Sequence, residues 1–354
     1  MLWVRHRRLA AAILLYLGLM LAGVLWSNNR TLGMHVLGHQ WFWLLLPVVF
    51  SVLSSVAWRR RFLFSLSGGL ILHLGFCVLQ LFGVVAGIAS GGSGMDDPTG
   101  HIGRIGFGFV YGIWAAWLLH LGWLKSGWRR WGAWALAAWA WLMIFLAQGR
   151  SGYLIAFVLL TFVVGRQWLG GHGWKRAAVS FGLILLMAVA LAAGPGKQRL
   201  VKTWNSIQSI QRGDVATAEG RWSLWLEAVD VWKKHPFIGV GTGGYAAAAA
   251  QVFREHPEYL IRADHPHNAY LLSMARWGTG GLMIILLLLY TWIRTAWQAD
   301  WNRDIYAPLI SLSGLALAVH ALSASSLEEH FSAVLAVLLL GAGLSDRAEA
   351  SPPP

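Results

Sequence analysis

Apolar runs with few internal charges recur along this chain, and most are long enough to cross roughly 30 Å of hydrocarbon as helices. About ten can be read by length and hydropathy, at 9–26, 41–57, 62–88, 105–124, 131–147, 152–165, 178–194, 278–293, 306–323 and 331–344. With 57% of its 354 residues hydrophobic and 12% charged, the chain carries more apolar surface than a soluble domain of this length can bury. The expected fold is an all-α integral membrane protein with about ten transmembrane helices and one large helical loop outside the cytoplasm.

Lys and Arg are retained on the cytoplasmic side of short connections. Arg5, Arg7 and Arg8 stand at the N-terminus, Arg59, Arg60 and Arg61 in the second connection, Lys125, Arg129 and Arg130 in the fourth, and Arg166, Lys175 and Arg176 in the sixth. That regularity sets both termini in the cytoplasm. The first segment has the basic start and apolar middle of a signal peptide but no convincing small-x-small cleavage site, so it reads as an uncleaved first helix. Trp41, Trp43, Trp58, Trp123, Trp131 and Trp292 fall near segment ends, where an amphipathic ring satisfies both phases. Much of the formal charge of +13 is therefore topological, and no basic groove with interleaved aromatics points to nucleic acid. Cys77, the only cysteine, lies in an apolar run and reads as a small core residue.

Four regions follow: helices one to seven over 1–194, a loop domain over 195–277, helices eight to ten over 278–345, and a tail at 346–354. The topology sets the long loop in the periplasm or its equivalent. Within it, Arg221 to Lys234 has amphipathic spacing, with Trp222, Trp225, Val229 and Trp232 near one face and Glu227, Asp230 and Lys234 elsewhere, and His235-Pro236 stops it. Gly239-Val240-Gly241-Thr242-Gly243-Gly244 then feeds a second short helix running from Tyr245 to Phe253. Its glycine spacing is not a dinucleotide fingerprint. Such a loop either brings backbone close to a phosphate or membrane surface, or simply connects two helices flexibly.

Arg150 sits in the turn Gln148-Gly149-Arg150-Ser151 on the outer side, where positive charge is scarce. It either binds an anion or snorkels to the headgroups, since an arginine held at the hydrocarbon centre costs about 2.5–3.5 kcal/mol on insertion scales. Arg221 is a solvated charge or a diphosphate ligand, because a planar guanidinium can hold a diphosphate through paired hydrogen bonds. His267 and Asn268 stand at the outer mouth of the eighth span, and an imidazole titrating near neutrality can accept a hydroxyl proton. His265 and His267 also form an H-x-H pair with His256 in reserve, a weak zinc pattern lacking a third clear ligand. The acidic pairs Asp96-Asp97 and Glu328-Glu329 either hold a divalent ion or are solvated loop charges, and the first external loop, Ser27 to Gln40, has no carboxylate.

The stretches Gln148-Gly149-Arg150-Ser151-Gly152-Tyr153, Arg221-Trp222 through Pro236-Phe237-Ile238-Gly239-Val240-Gly241, and His267-Asn268-Ala269-Tyr270-Leu271 followed by Trp277-Gly278 resemble, in order and spacing, the O-antigen ligase and polymerase superfamily. The resemblance implies a membrane glycosyltransferase that takes a glycan from undecaprenyl diphosphate and attaches it, in ligases, to the lipid A core on the periplasmic side of the inner membrane. It matches Arg150 and Arg221 to the family's diphosphate-binding arginines and His267 to its essential histidine. The implied mechanism is metal-independent, cofactor-free and inverting: the arginines steady the departing diphosphate, His267 orients or deprotonates the acceptor hydroxyl, and Asn268 positions groups around it. Arg104, Lys202, Arg254 and Arg262 are further candidates for donor or acceptor phosphates.

An O-antigen polymerase and a protein O-oligosaccharyltransferase share most of these motifs and remain open. A lipid-linked glycan transporter is the alternative from another class, although no internal repeat of the kind many transporters carry is visible. A structural membrane subunit using the long loop for docking is a further one.

Overall fold

A computed structural model describes residues 6–85, 98–169, 201, 204–206, 208–209, 212, 220–259, 261–297, 301 and 304–345. Among these residues every regular element is helical. Five stretches are long and apolar enough to cross a membrane: Arg7–Leu25, Arg30–Val52, Val56–Leu81, Gly103–Leu124 and Ala269–Thr295. Ala307–His320 and His330–Ser345 are shorter apolar helices. The chain is an all-α, multi-pass membrane protein. The expected span at 178–194 lies outside the described residues.

Two expected boundaries are corrected. The second span was expected at 41–57 after an external loop at 27–40, yet Arg30–Gly38 is already helical and leads through a 3-10 turn, His39–Leu44, into Leu45–Val52. Asn29 starts that helix early, its side-chain oxygen accepting from the Leu32 amide at 2.9 Å in place of a missing helical carbonyl. The basic cluster at Arg59 is not a connection either. It falls in the first turns of Val56–Leu81, where Arg59 is fully buried with its guanidinium 4.2 Å from the centre of the Tyr306 ring.

We number the helices of the described residues in chain order: α1 Arg7–Leu25, α2 Arg30–Gly38, α3 Leu45–Val52, α4 Val56–Leu81, α5 Gly103–Leu124, α6 Gly127–Leu146, α7 Arg150–Leu169, α8 Gly220–Lys234, α9 Tyr245–Glu255, α10 Ala269–Thr295, α11 Ala307–His320 and α12 His330–Ser345. They belong to two compact units. The first comprises Met1–Pro47, Val201–Trp297 and His320–Val337, and the second Val48–Leu200, Gln298–Val319 and Leu338–Pro354.

In the second unit α5 is the central helix, packed on α6 and α7. Gly108 and Gly152 let α5 and α7 touch backbone to backbone: a Cβ on Gly108 would lie 2.1 Å from the Gly152 Cα. Small residues at such crossings are the usual means of close helix approach in lipid, where no hydrophobic force drives helices together. α4 is joined to α5 by polar contacts between apolar helices. The Tyr111 hydroxyl donates to the Leu70 carbonyl at 3.1 Å, and the Trp114 indole to the Ser67 hydroxyl at 3.1 Å. Phe64 and Leu72, 80% and 77% exposed on α4, give this helix an apolar surface suited to lipid.

In the first unit α10 packs on α1 and on α8, and α8 on α9. The core between these helices contains Ala228, Val231, Tyr245, Ala249, Val252, Tyr259, Leu272 and Ala275. The expected helix at 221–234 forms, but with a different buried face. Ser223, Leu224, Glu227, Ala228 and Val231 are buried, while Trp222, Trp225, Val229 and Trp232 lie half-buried along the rim. Small side chains at 223 and 228 admit the neighbouring helices, and the larger indoles fit only beside that contact.

The eighth span was expected from residue 278, but α10 begins nine residues earlier, at Ala269. It breaks at Trp277 (φ −129°, ψ 16°) and Gly278 (φ 68°, ψ −166°). The freed backbone groups are met by the turn after α8. Val240 N donates to Ala275 O at 3.0 Å, Gly241 N to Arg276 O at 2.8 Å, and Thr279 N to Pro236 O at 2.9 Å. A break inside an apolar helix is tolerable because these bonds replace the lost ladder.

Candidate functional site

Arg150 and Arg104 belong to the second unit. Arg150 is the first residue of α7, and Gln148 just before it holds φ at 55°, a left-handed conformation that L side chains seldom adopt. The Tyr153 hydroxyl donates to Phe145 O at 2.8 Å, and Tyr153 N to Gly149 O at 3.0 Å, bracing the turn from both sides. Arg104 is the second residue of α5, and a Cβ on Gly149 would lie 2.9 Å from its carbonyl oxygen, so the starts of α5 and α7 meet. Neither helix has an acidic residue in its first turn, and both guanidinium-bearing residues are half-buried. Two helix N-termini and two arginines thus bring positive charge together.

His267, Asn268, Arg221, Arg254 and Arg262 belong to the first unit. His267 holds φ at 51°, so the non-glycine residues with positive φ among the described ones, Gln148 and His267, each stand beside or at a candidate site residue. Burial first, then the charges of His265 and Arg221, hold the His267 imidazole below its ordinary pKa. The rings of His265 and His267 meet edge to face, 4.2 Å between centres. A histidine kept neutral can accept a proton at a lower pH than a solvated one.

Asn268, expected to position groups around the attacking hydroxyl, has its side chain engaged by the fold. The side-chain oxygen caps α10, accepting from Tyr270 N at 3.0 Å and Leu271 N at 3.1 Å, while its amide donates to Leu322 O at 3.3 Å. Ala269 N reaches Ala321 O at 2.8 Å. These bonds fix the backbone directly after His267. Arg221 is exposed at the start of α8, and Arg262 is exposed 3.9 Å from Asp264. Arg254 is exposed in the last turn of α9, with no described contact to His267, and Lys202 lies outside the described residues.

The glycine loop is neither a phosphate cradle nor a flexible connection. Its amides from 239 to 244, apart from Val240 and Gly241 already placed on α10, go to His235 O, Gly23 O, the Ser27 hydroxyl and Gly241 O. A Cβ on Gly239 would lie 2.3 Å from the Arg276 carbonyl carbon, and one on Gly241 2.7 Å from Gly23 O, with φ at 64° and 82°. The glycines serve close packing, which leaves these amides no capacity for a ligand.

Two carboxylates engaged by the fold, one buried and one half-buried, were not anticipated. Glu227 was assigned to the polar side of α8, yet it is fully buried, its Oε1 accepting weakly from the Tyr245 hydroxyl at 3.5 Å and its Oε2 without a hydrogen bond among the described residues. Burial pushes its pKa up to about 7 against the pull of Tyr245 and of the Arg262 charge. Its i, i+4 relation to Ser223 and Val231, within the stripe of small residues, was the signal available. Glu328, read as a solvated loop charge, instead forms an ion pair with buried Arg276. Among the described residues no group of three His, Cys, Asp or Glu is arranged to hold a metal, and Asp96 and Asp97 fall outside them.

Residues 134–286 match the family model described as O-antigen ligase. The matched segment contains Arg150, Arg221, the glycine loop, His267 and the kink at Gly278. No curated protein matches the chain.

Proposed function

We propose, from the match of residues 134–286 to the family model described as O-antigen ligase, that this chain is such a ligase: it moves O-antigen glycan from undecaprenyl diphosphate to the lipid A core at the periplasmic face of the inner membrane. The observation that carries the reading is that the matched segment contains Arg150, Arg221 and His267, with His267 held at φ 51° directly before the asparagine-capped start of α10. An acceptor hydroxyl oxygen attacks carbon one of the donor sugar, and its proton passes to His267. The bond from that carbon to the diphosphate oxygen breaks, the configuration inverts, and the electron pair leaves with undecaprenyl diphosphate. Arg150 and Arg221 stabilise the charge that grows on this leaving group, and Arg104 and Arg262 are the supporting cations. No cofactor is required, because the glycosyl diphosphate bond already stores the energy. Asn268 holds His267 at the required angle, and Arg254 and Lys202 are further candidates for donor or acceptor phosphates.

Purified protein given a lipid-linked glycan and lipid A core tests this directly. A joined product in excess chelator is the expected result. Lengthening of the donor alone would identify a polymerase, glycan on a protein acceptor an oligosaccharyltransferase, and movement across a bilayer without a new bond a transporter.

A further inference from the structure

Phe237 is 86% exposed and Ile238 63%, in a turn that belongs to no membrane-crossing helix. Other strongly exposed side chains, such as Phe64 and Leu72, lie on α4, a helix long and apolar enough to cross a membrane. The turn is rigid: Pro236 O accepts from both the amide and the hydroxyl of Thr279, and a Cβ on Gly278 would lie 2.1 Å from Phe237 O. It is also tied to the end of α1, where the Trp26 indole donates to Ile238 O at 3.1 Å. On α1 the exposed residues Leu14, Leu21 and Leu25 form one stripe at helical spacing, ending at Leu25 with 71% exposure and continuing into Trp26. The apolar tip therefore extends a lipid-facing surface past the last turn of the helix.

We propose that Phe237 and Ile238 are a fixed membrane wedge that inserts into the leaflet at the C-terminal end of α1, its occupant being phospholipid acyl chain. The nearby lysines do not supply the grip, since Lys233 pairs with Asp230 at 2.8 Å and Lys234 with Glu255. Insertion is apolar, and it proceeds equally well in a neutral leaflet. Because the same turn is bonded to the kink of α10, the wedge fixes the height of the first unit's helices at the membrane surface. The inference stands apart from the transferase reading and from the side of the membrane on which the turn lies.

The test uses the full chain in nanodiscs of phosphatidylcholine, with Cys77→Ala removing the single native cysteine and Phe237→Cys carrying an environment-sensitive fluorophore. The wedge predicts blue-shifted emission and quenching by lipids spin-labelled near the headgroup, consistent with a depth of about 5–10 Å at the acyl boundary, and no change when salt is raised. The same label at exposed Gln251 on α9 should show neither. Water-like emission without quenching at position 237 overturns the proposal. So does equal quenching at both positions, which means the dye inserts itself, and so does quenching that needs anionic lipid and disappears in salt.

Discussion

The two units prepare their candidate residues by different means. Around Arg104 and Arg150, charge is delivered at helix starts: each residue opens a helix, the two starts meet at Gly149, and Tyr153 braces the turn locally. Around His267, delivery takes a frame: an asparagine cap, a kinked helix and a glycine loop whose amides repair the kink. The difference follows from the chemistry asked of each. An electrostatic contribution tolerates small displacements because it falls off gradually with distance, whereas proton transfer requires hydrogen-bond contact at a defined angle.

The largest effect should come from the framed residue. His267→Ala is expected to lower turnover by roughly 100- to 10,000-fold in the product assay. Normal turnover from folded variant would remove the proton-accepting role. Arg150→Lys keeps the charge and loses the planar fork, and turnover should fall by about 100-fold. If the two variants exchanged magnitudes, the contrast between charge and frame would be reversed.

The remaining predictions concern the frame itself. Gly278→Ala forces a side chain into a backbone conformation nearly reserved for glycine and against Phe237 O, so thermal unfolding in detergent should show roughly 1–3 kcal/mol lost. A smaller effect is expected at Glu227, whose pKa in the fold, about 7, exceeds its value in an unfolded chain. The folded form holds its proton to higher pH, so stability falls as pH rises from the unfolded value through about 7. Glu227→Gln should abolish that decline, gaining on the order of 2 kcal/mol over the native protein at alkaline pH and little near pH 4 in paired melts. An equal gain at both pH values would mean the carboxyl is not buried. Arg221→Gln should lower turnover by removing a cation from the leaving group, and its smallest effect is on the shape of the profile: it removes one of the charges that depress the His267 pKa, so the acidic limb should move to higher pH by a fraction of a unit. An unmoved limb would separate the two residues.

Length and hydropathy in the sequence determined the membrane-spanning helical class, because a run such as 105–124 has one stable form in lipid whatever its neighbours do. Local signals also determined the helix at 221–234 and its stop before Pro236. Residue type and order offered Arg150, Arg221 and His267 as candidates, and all three fall inside the matched segment. Tertiary structure alone decided which face of α8 is buried, since contact with α9 and α10 selects small side chains over the indoles and takes Glu227 inside. It alone revealed that the glycine loop and the Gly278 kink are one lock. The reason is that each half leaves backbone groups unmatched, and their partners lie about forty residues away, beyond the reach of any local pattern.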